Sequence, residues 1–183
     1  MNLMLKSVLI GFAILLSAPA QGQKHNGEGK PQHPSPPPEI KKTVDAIAGE
    51  WSGPMTAKVG GMVETFNWTM DCKPVALGAG ATCTNGGKAS IGLLAESCLL
   101  AYDPEGKAVH YMCVTSMGEV HDHKGQWKDD KTIEFEPLQA GMMGKLATET
   151  MRWSFPDAKT IAKTSMVTMP DGSSMTFEFN GKR

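Results

Sequence analysis

From Trp51 to the C-terminus, apolar and polar positions alternate with a period of two. Met62, Glu64, Phe66, Trp68, Met70 and Cys72 share one face of such a run. Met151, Trp153 and Phe155 alternate with Thr150, Arg152 and Ser154, and Met175, Phe177 and Phe179 with Thr176 and Glu178. Successive side chains of a strand point to opposite faces, so this pattern marks half-buried antiparallel strands. Turn sequences punctuate it: Gly60-Gly61, Asn85-Gly86-Gly87, Asp103-Pro104-Glu105-Gly106, Lys124-Gly125, Asp129-Asp130, Pro156-Asp157 and Pro170-Asp171-Gly172. The spacing predicts about ten short strands in an all-β sandwich or barrel. A closed antiparallel up-and-down barrel leaves no sheet edge exposed, which makes it the favoured arrangement.

Ahead of the strands the period changes. In residues 39–48, Ile40, Val44 and Ile47 fall on one helical face, with Pro38 at the start and Gly49 at the stop. A helix this short needs packing against something else to be stable. Residues 23–38, QKHNGEGKPQHPSPPP, carry no core-forming side chains and read as a Pro-rich, disordered linker in which His25 and His33 are solvated. Residues 1–22 read as a secretory signal peptide: Lys6 supplies the positive region, Val8 to Leu16 the apolar run and Ala18-Pro19-Ala20 the small-residue cleavage pattern. The apolar run is too short for a comfortable membrane span, so no span is expected once the signal is removed. The barrel domain is therefore expected over 39–183, in the periplasm or outside the cell.

Export decides how the cysteines are read. Cys72, Cys83, Cys98 and Cys113 are even in number, none belongs to a C-x-x-C motif, and an oxidising compartment favours their pairing. Local pairing, 72–83 and 98–113, is the first choice, and 72–113 with 83–98 is the alternative. The choice turns on one residue of loop length. A two- or four-residue loop in the 98–113 hairpin makes Cys98 face Cys113. A three-residue loop with Gly106 in the left-handed region, which Asp-Pro-x-Gly favours, makes Cys98 face Met112 unless a bulge restores the register.

Charge excludes some partners. With 18 basic and 19 acidic residues, interspersed, the chain has no basic stripe for nucleic acid or for an anionic membrane.

Several stretches together resemble the bacterial family called domain of unknown function 1579. They are the helix leading into "GEWSG", "LGAGA" at 77–81, "AYDPEGKAVHYMCVTSMGE" at 101–119, "GQWKDDKTIEFE" at 125–136 and the closing "MPDGSSMTFEFNGKR". Their order and spacing match from roughly Ile40 to Arg183, and Gly49-Glu50-Trp51 resembles the G-x-W arrangement of lipocalins and other calycins. The resemblance implies a lipocalin-like barrel and carries no established activity. Nitrobindin, a haem-binding relative by fold, uses a histidine inside its barrel, but that ligand maps onto no particular residue here, and no cofactor is expected.

Candidate chemistry sits in three places. Trp51, Phe66, Trp68, Met70, Met151, Trp153 and Phe177 are candidate wall residues of a barrel that either holds a small apolar or amphipathic molecule or is filled by its own side chains. His121 and His123 lie two apart on one strand face, and with His110 on the neighbouring strand they are candidate metal ligands, weighed against a solvated position beside the Lys124-Gly125 turn. Glu64, Glu96 and Glu149 lie in strand-like stretches, where an inward carboxylate would be a proton donor or acceptor and an outward one the commoner case. No G-x-S-x-G or H-E-x-x-H motif is present. Three functions fit: small-molecule binding in the barrel first, then metal- or haem-dependent catalysis by the strand histidines, then a structural module of the envelope without ligand. Oligomeric state is not legible.

Overall fold

The computed structural model describes residues 35–142 and 144–183. The expected signal peptide, and the linker up to residue 34, lie outside the described residues.

One helix, α1 (Pro38–Ile47), precedes eleven strand segments: β1 (Gly49–Val59), β2 (Met62–Val75), β3 (Gly80–Ala89), β4 (Gly92–Asp103), β5 (Ala108–Thr115), β6 (Val120–Trp127), β7 (Thr132–Phe135), β8 (Leu138–Met142), β9 (Lys145–Asp157), β10 (Thr160–Thr168) and β11 (Ser174–Lys182). All neighbours pair antiparallel, and β11 returns to pair with β1, so the sheet is closed. β7 and β8 pair with successive stretches of β9 and share one strand position, interrupted at Glu136-Pro137. A proline has no N–H for a ladder, so it ends β7. The eleven segments therefore build the ten-position barrel that the alternation predicts.

Two expected turns are strand interior instead. Asn85-Gly86-Gly87 lies in mid-β3 and Lys124-Gly125 in β6. Their glycines serve close packing: a Cβ on Gly87 would meet the Trp68 and Phe66 rings at 2.9 and 3.0 Å, and one on Gly125 the Phe135 ring at 2.7 Å. A glycine flattened under an aromatic ring cannot be told from a turn glycine by local sequence.

α1 stops one end of the barrel. Ile40, Val44 and Ile47 are buried on its inner face. The Trp51 indole donates to the Ile47 carbonyl at 2.8 Å, and the Trp127 indole to the Thr43 hydroxyl at 2.9 Å. Lys42 reaches Asp130 of the β6–β7 loop at 3.2 Å. Behind the helix, Leu100, Ile133, Trp153, Phe155, Ile161 and Phe179 pack into one core with Trp51, Trp68 and Met70. Burial of these apolar side chains is what stabilises a helix of ten residues.

The opposite end is formed by the β1–β2, β3–β4, β5–β6, β8–β9 and β10–β11 hairpins. Large apolar side chains stand exposed at four of them: Met62 and Val63, Ile91 and Leu93, Met117 and Val120, and Leu146. Inside that end, Met142, Ala147, Val167 and Met175 form a second, smaller apolar cluster.

Candidate functional site

Between the two apolar clusters the barrel interior carries ionisable side chains. β6 supplies His121 and His123, two positions apart and so on the same, inward face. β9 supplies Glu149, and β10 supplies Lys163 and Ser165, each on an inward position of its strand. Asn85 of β3, Glu96 of β4 and Tyr111 of β5 complete the polar belt. His121, His123 and Glu149 are 7, 3 and 8% exposed.

Contacts link these groups. Glu149 Oε2 lies 3.1 Å from His121 Nδ1 and 3.5 Å from His123 Nε2. The Ser165 hydroxyl donates to Glu149 Oε1 at 2.5 Å. Asn85 Nδ2 donates to the Glu96 carboxylate at 2.9 Å and to the Tyr111 hydroxyl at 2.8 Å. The Lys163 ammonium sits 4.8 Å from the Trp153 ring centre and 5.1 Å from that of Tyr111. Among the described residues no carboxylate lies within ion-pair distance of it.

Each environment sets a direction of titration. The Glu149 contact raises the His121 imidazole above its ordinary value, and burial opposes this. His123 goes the other way, because burial outweighs the attraction of Glu149. Burial works against the Glu149 carboxylate too, but His121, His123 and Ser165 together hold it below the ordinary glutamate range. Burial lowers the Lys163 ammonium, with Glu96 and Glu149 pulling back, and pushes the Tyr111 phenol far up.

The predicted site residues divide clearly. Trp51, Trp68, Met70, Met151 and Trp153 are buried inside, with Phe66 and Phe177 partly buried against the same clusters. His110 does not join His121 and His123. It alternates with the inward Val109 and Tyr111, so it turns to the outer face and lies 2.9 Å from Asp122. Glu149, a candidate inward carboxylate, stands where His110 was expected. Glu64 accepts from the Ser90 amide and hydroxyl at the rim opposite α1, 2.5 and 2.7 Å away. Lys163, Asn85 and Tyr111 were not singled out from the sequence. The signal for Lys163 was its register: Ile161, Lys163, Ser165 and Val167 share one face, and the convention that lysine faces water hides the second member.

The four cysteines lie in one row across β2, β3, β4 and β5: Cys72 faces Cys83, Cys83 faces Cys98, and Cys98 faces Cys113. Disulfides join 72–83 and 98–113. The alternative bond 72–113 would have to span three strand spacings, too far for a disulfide. In the β4–β5 hairpin Asp103 pairs with Ala108, which leaves a four-residue loop. Lys107, not Gly106, takes the left-handed conformation, at φ 50°. That one extra residue makes Cys98 face Cys113.

Fold and interior together define the class: a closed, disulfide-bonded antiparallel barrel, capped by a helix at one end, with charged groups inside. Neither a family model nor a curated protein matches the chain. Its likeness is to solved barrels. The S-type phycobiliprotein lyase of Guillardia theta is similar with a TM-score of 0.53 and 12% identity, over 79% of this chain and 92% of that one. A redesigned β-barrel aligns at TM-score 0.40 and 12% identity, over 78% and 95% of the two chains. A DUF1329 family protein from Desulfovibrio piger aligns at 0.34 and 10%, over 77% and 88%. The first of these shows the shared fold. The two disulfides suit an oxidising, non-cytoplasmic setting. Among the described residues no helix is long and apolar enough to cross a membrane.

Proposed function

We propose that this protein is an exported barrel, of the kind the domain of unknown function 1579 resemblance implies, that binds a small amphipathic molecule with an anionic group. The observation that carries the reading is Lys163. Lys163 is half-buried, with its ammonium set against the Trp153 and Tyr111 rings, and its nearest carboxylates act on it without reaching ion-pair distance. A partly desolvated cation without an ion-pair partner is costly, and an incoming carboxylate would supply a charge-assisted hydrogen bond. The apolar tail would lie along the inward Met and aromatic side chains, and the exposed apolar rim opposite α1 gives such a tail a place to dock before it enters.

The test is titration with a fluorescent long-chain carboxylic acid and with its neutral alcohol analogue. The acid is expected to bind more tightly, and Lys163→Met to weaken it tenfold to a hundredfold, the range of a hydrogen bond to a charged group, while leaving the alcohol unchanged. Equal affinity for both probes, or no uptake of either, overturns the reading.

A further inference from the structure

We propose that His121, His123 and Glu149 form a binding site for one zinc-class divalent cation inside the barrel, with a remaining coordination position facing the lumen. His121, His123 and Glu149 each offer one donor atom within 4.8 Å of the other two, and Glu149 Oε2 faces both His121 Nδ1 and His123 Nε2. A tetrahedral ion with bonds of about 2.05 Å to nitrogen and oxygen sets neighbouring ligands about 3.3 Å apart. The two contacts to Glu149 Oε2, 3.1 and 3.5 Å, bracket that spacing. Oε2 makes no hydrogen bond although it is buried, as an atom aimed at a metal would be.

The surrounding shell fits the same reading. Ser165 holds the other carboxylate oxygen of Glu149, fixing which oxygen faces the histidines. With His121 ligating through Nδ1, its Nε2 lies 3.7 Å from Glu119 Oε2, longer than a hydrogen bond but close enough for the carboxylate to favour a proton on that nitrogen. Charge agrees as well. Glu149, Glu119 and Glu96 all act on His121, and Lys163 is the ammonium that faces the cluster. Glu149 brings a carboxylate charge into the cluster that a divalent cation would offset. Two imidazoles and one carboxylate suit zinc, a borderline-soft ion, better than calcium or magnesium, which prefer all-oxygen shells.

The experiment uses the purified full chain, stripped with a chelator and dialysed against zinc or cobalt(II). One ion per chain should be retained, and cobalt should show the intense visible absorption of a four-coordinate site. His121→Ala with His123→Ala should abolish both. Glu149→Gln, nearly isosteric, should weaken binding at least a hundredfold with the far-ultraviolet circular dichroism unchanged, and Ser165→Ala tenfold to a hundredfold. His110→Ala, on the outer face, should bind as the parent does. Failure to retain an ion, or stoichiometric retention after the double histidine change, overturns the site. Lys163→Met should keep the metal, so this inference and the amphipathic-ligand reading stand or fall by different variants.

Discussion

The two sides of the barrel are built differently. From β2 to β5 the strands are long and paired without interruption, and one row of four cysteines crosses them with two bonds. From β6 to β9 the wall is pieced together. β6 pairs with β7 only through Gly125–Trp127, β7 has four residues, and Pro137 breaks the position before β8 takes over. His121, His123 and Glu149 hang on this second wall and Lys163 on β10, while Glu96 and Tyr111 face them from the bonded wall, and His121 and His123 lie on the stretch of β6 beyond its pairing with β7. Buried charges destabilise unless they are well matched. The bonded wall supplies rigidity, and the pieced wall, where ladder bonds are fewest, tolerates groups that packing alone would reject.

Removing the rigidity is the most forceful way to break that contrast. Cys98→Ala with Cys113→Ala opens a cross-link over a sequence separation of 15. Constraint of the unfolded chain over a loop of that size is worth about 3 kcal/mol. The unfolding free energy from denaturant titration should fall by about that amount, and amide exchange in β4 and β5 should accelerate to the level of β6–β8. If β4 and β5 stay protected as before, the bonds are not what distinguishes the two walls.

The second test sharpens the other side. Lys163 faces Glu96 on β4, Tyr111 on β5, His123 on β6 and Glu149 on β9, and burial depresses its ammonium. The unfolded chain therefore binds the proton more tightly than the folded one. Stability should rise with pH from the depressed folded-state value up to the ordinary lysine value of 10.5. The limiting slope is about 1.4 kcal/mol per pH unit. The Tyr111 phenol, pushed upward, acts in the opposite sense only above its ordinary value of about 10. Melting temperatures followed upward in pH toward the ordinary lysine value of 10.5, with a chelator present, should climb in the parent and stay flat in Lys163→Met. A flat parent profile would mean that the ammonium is solvated.

How much of this was legible follows from the physics of each signal. Alternation is set by the pleat, so strands, barrel and the inward Trp, Met and Phe positions could be read directly. The pairing of His121 with His123 came from the same period. Which residue joins them could not, because Glu149 approaches from β9 across a closed barrel and no local spacing encodes that contact. His110 was misplaced because a neighbouring strand was read as a neighbouring face. Asn85-Gly86-Gly87 looked like a turn because glycine beneath an aromatic ring and glycine in a hairpin share one letter. The β4–β5 loop misled in a finer way, by one residue.

That loop offers the smallest effect and a clean choice between two hairpins. In the four-residue form Lys107 is left-handed at φ 50°, a conformation that strains any residue with a Cβ by about 1 kcal/mol. Lys107→Gly removes that strain and loses part of the gain to chain entropy, so a stabilisation of about 0.5 kcal/mol is expected. Gly106 has a different task. Asp103 accepts the Glu105 amide at 2.9 Å and the Gly106 amide as well, and a Cβ on Gly106 would press on the same carboxylate. Gly106→Ala should therefore cost about 1 kcal/mol, the worth of a hydrogen bond. In the three-residue form expected from Asp-Pro-x-Gly, Gly106 is the left-handed residue and Lys107 already belongs to the strand, so Lys107→Gly would destabilise. The sign of that one substitution in a thermal melt reports the loop length, and with it whether Cys98 and Cys113 share a face.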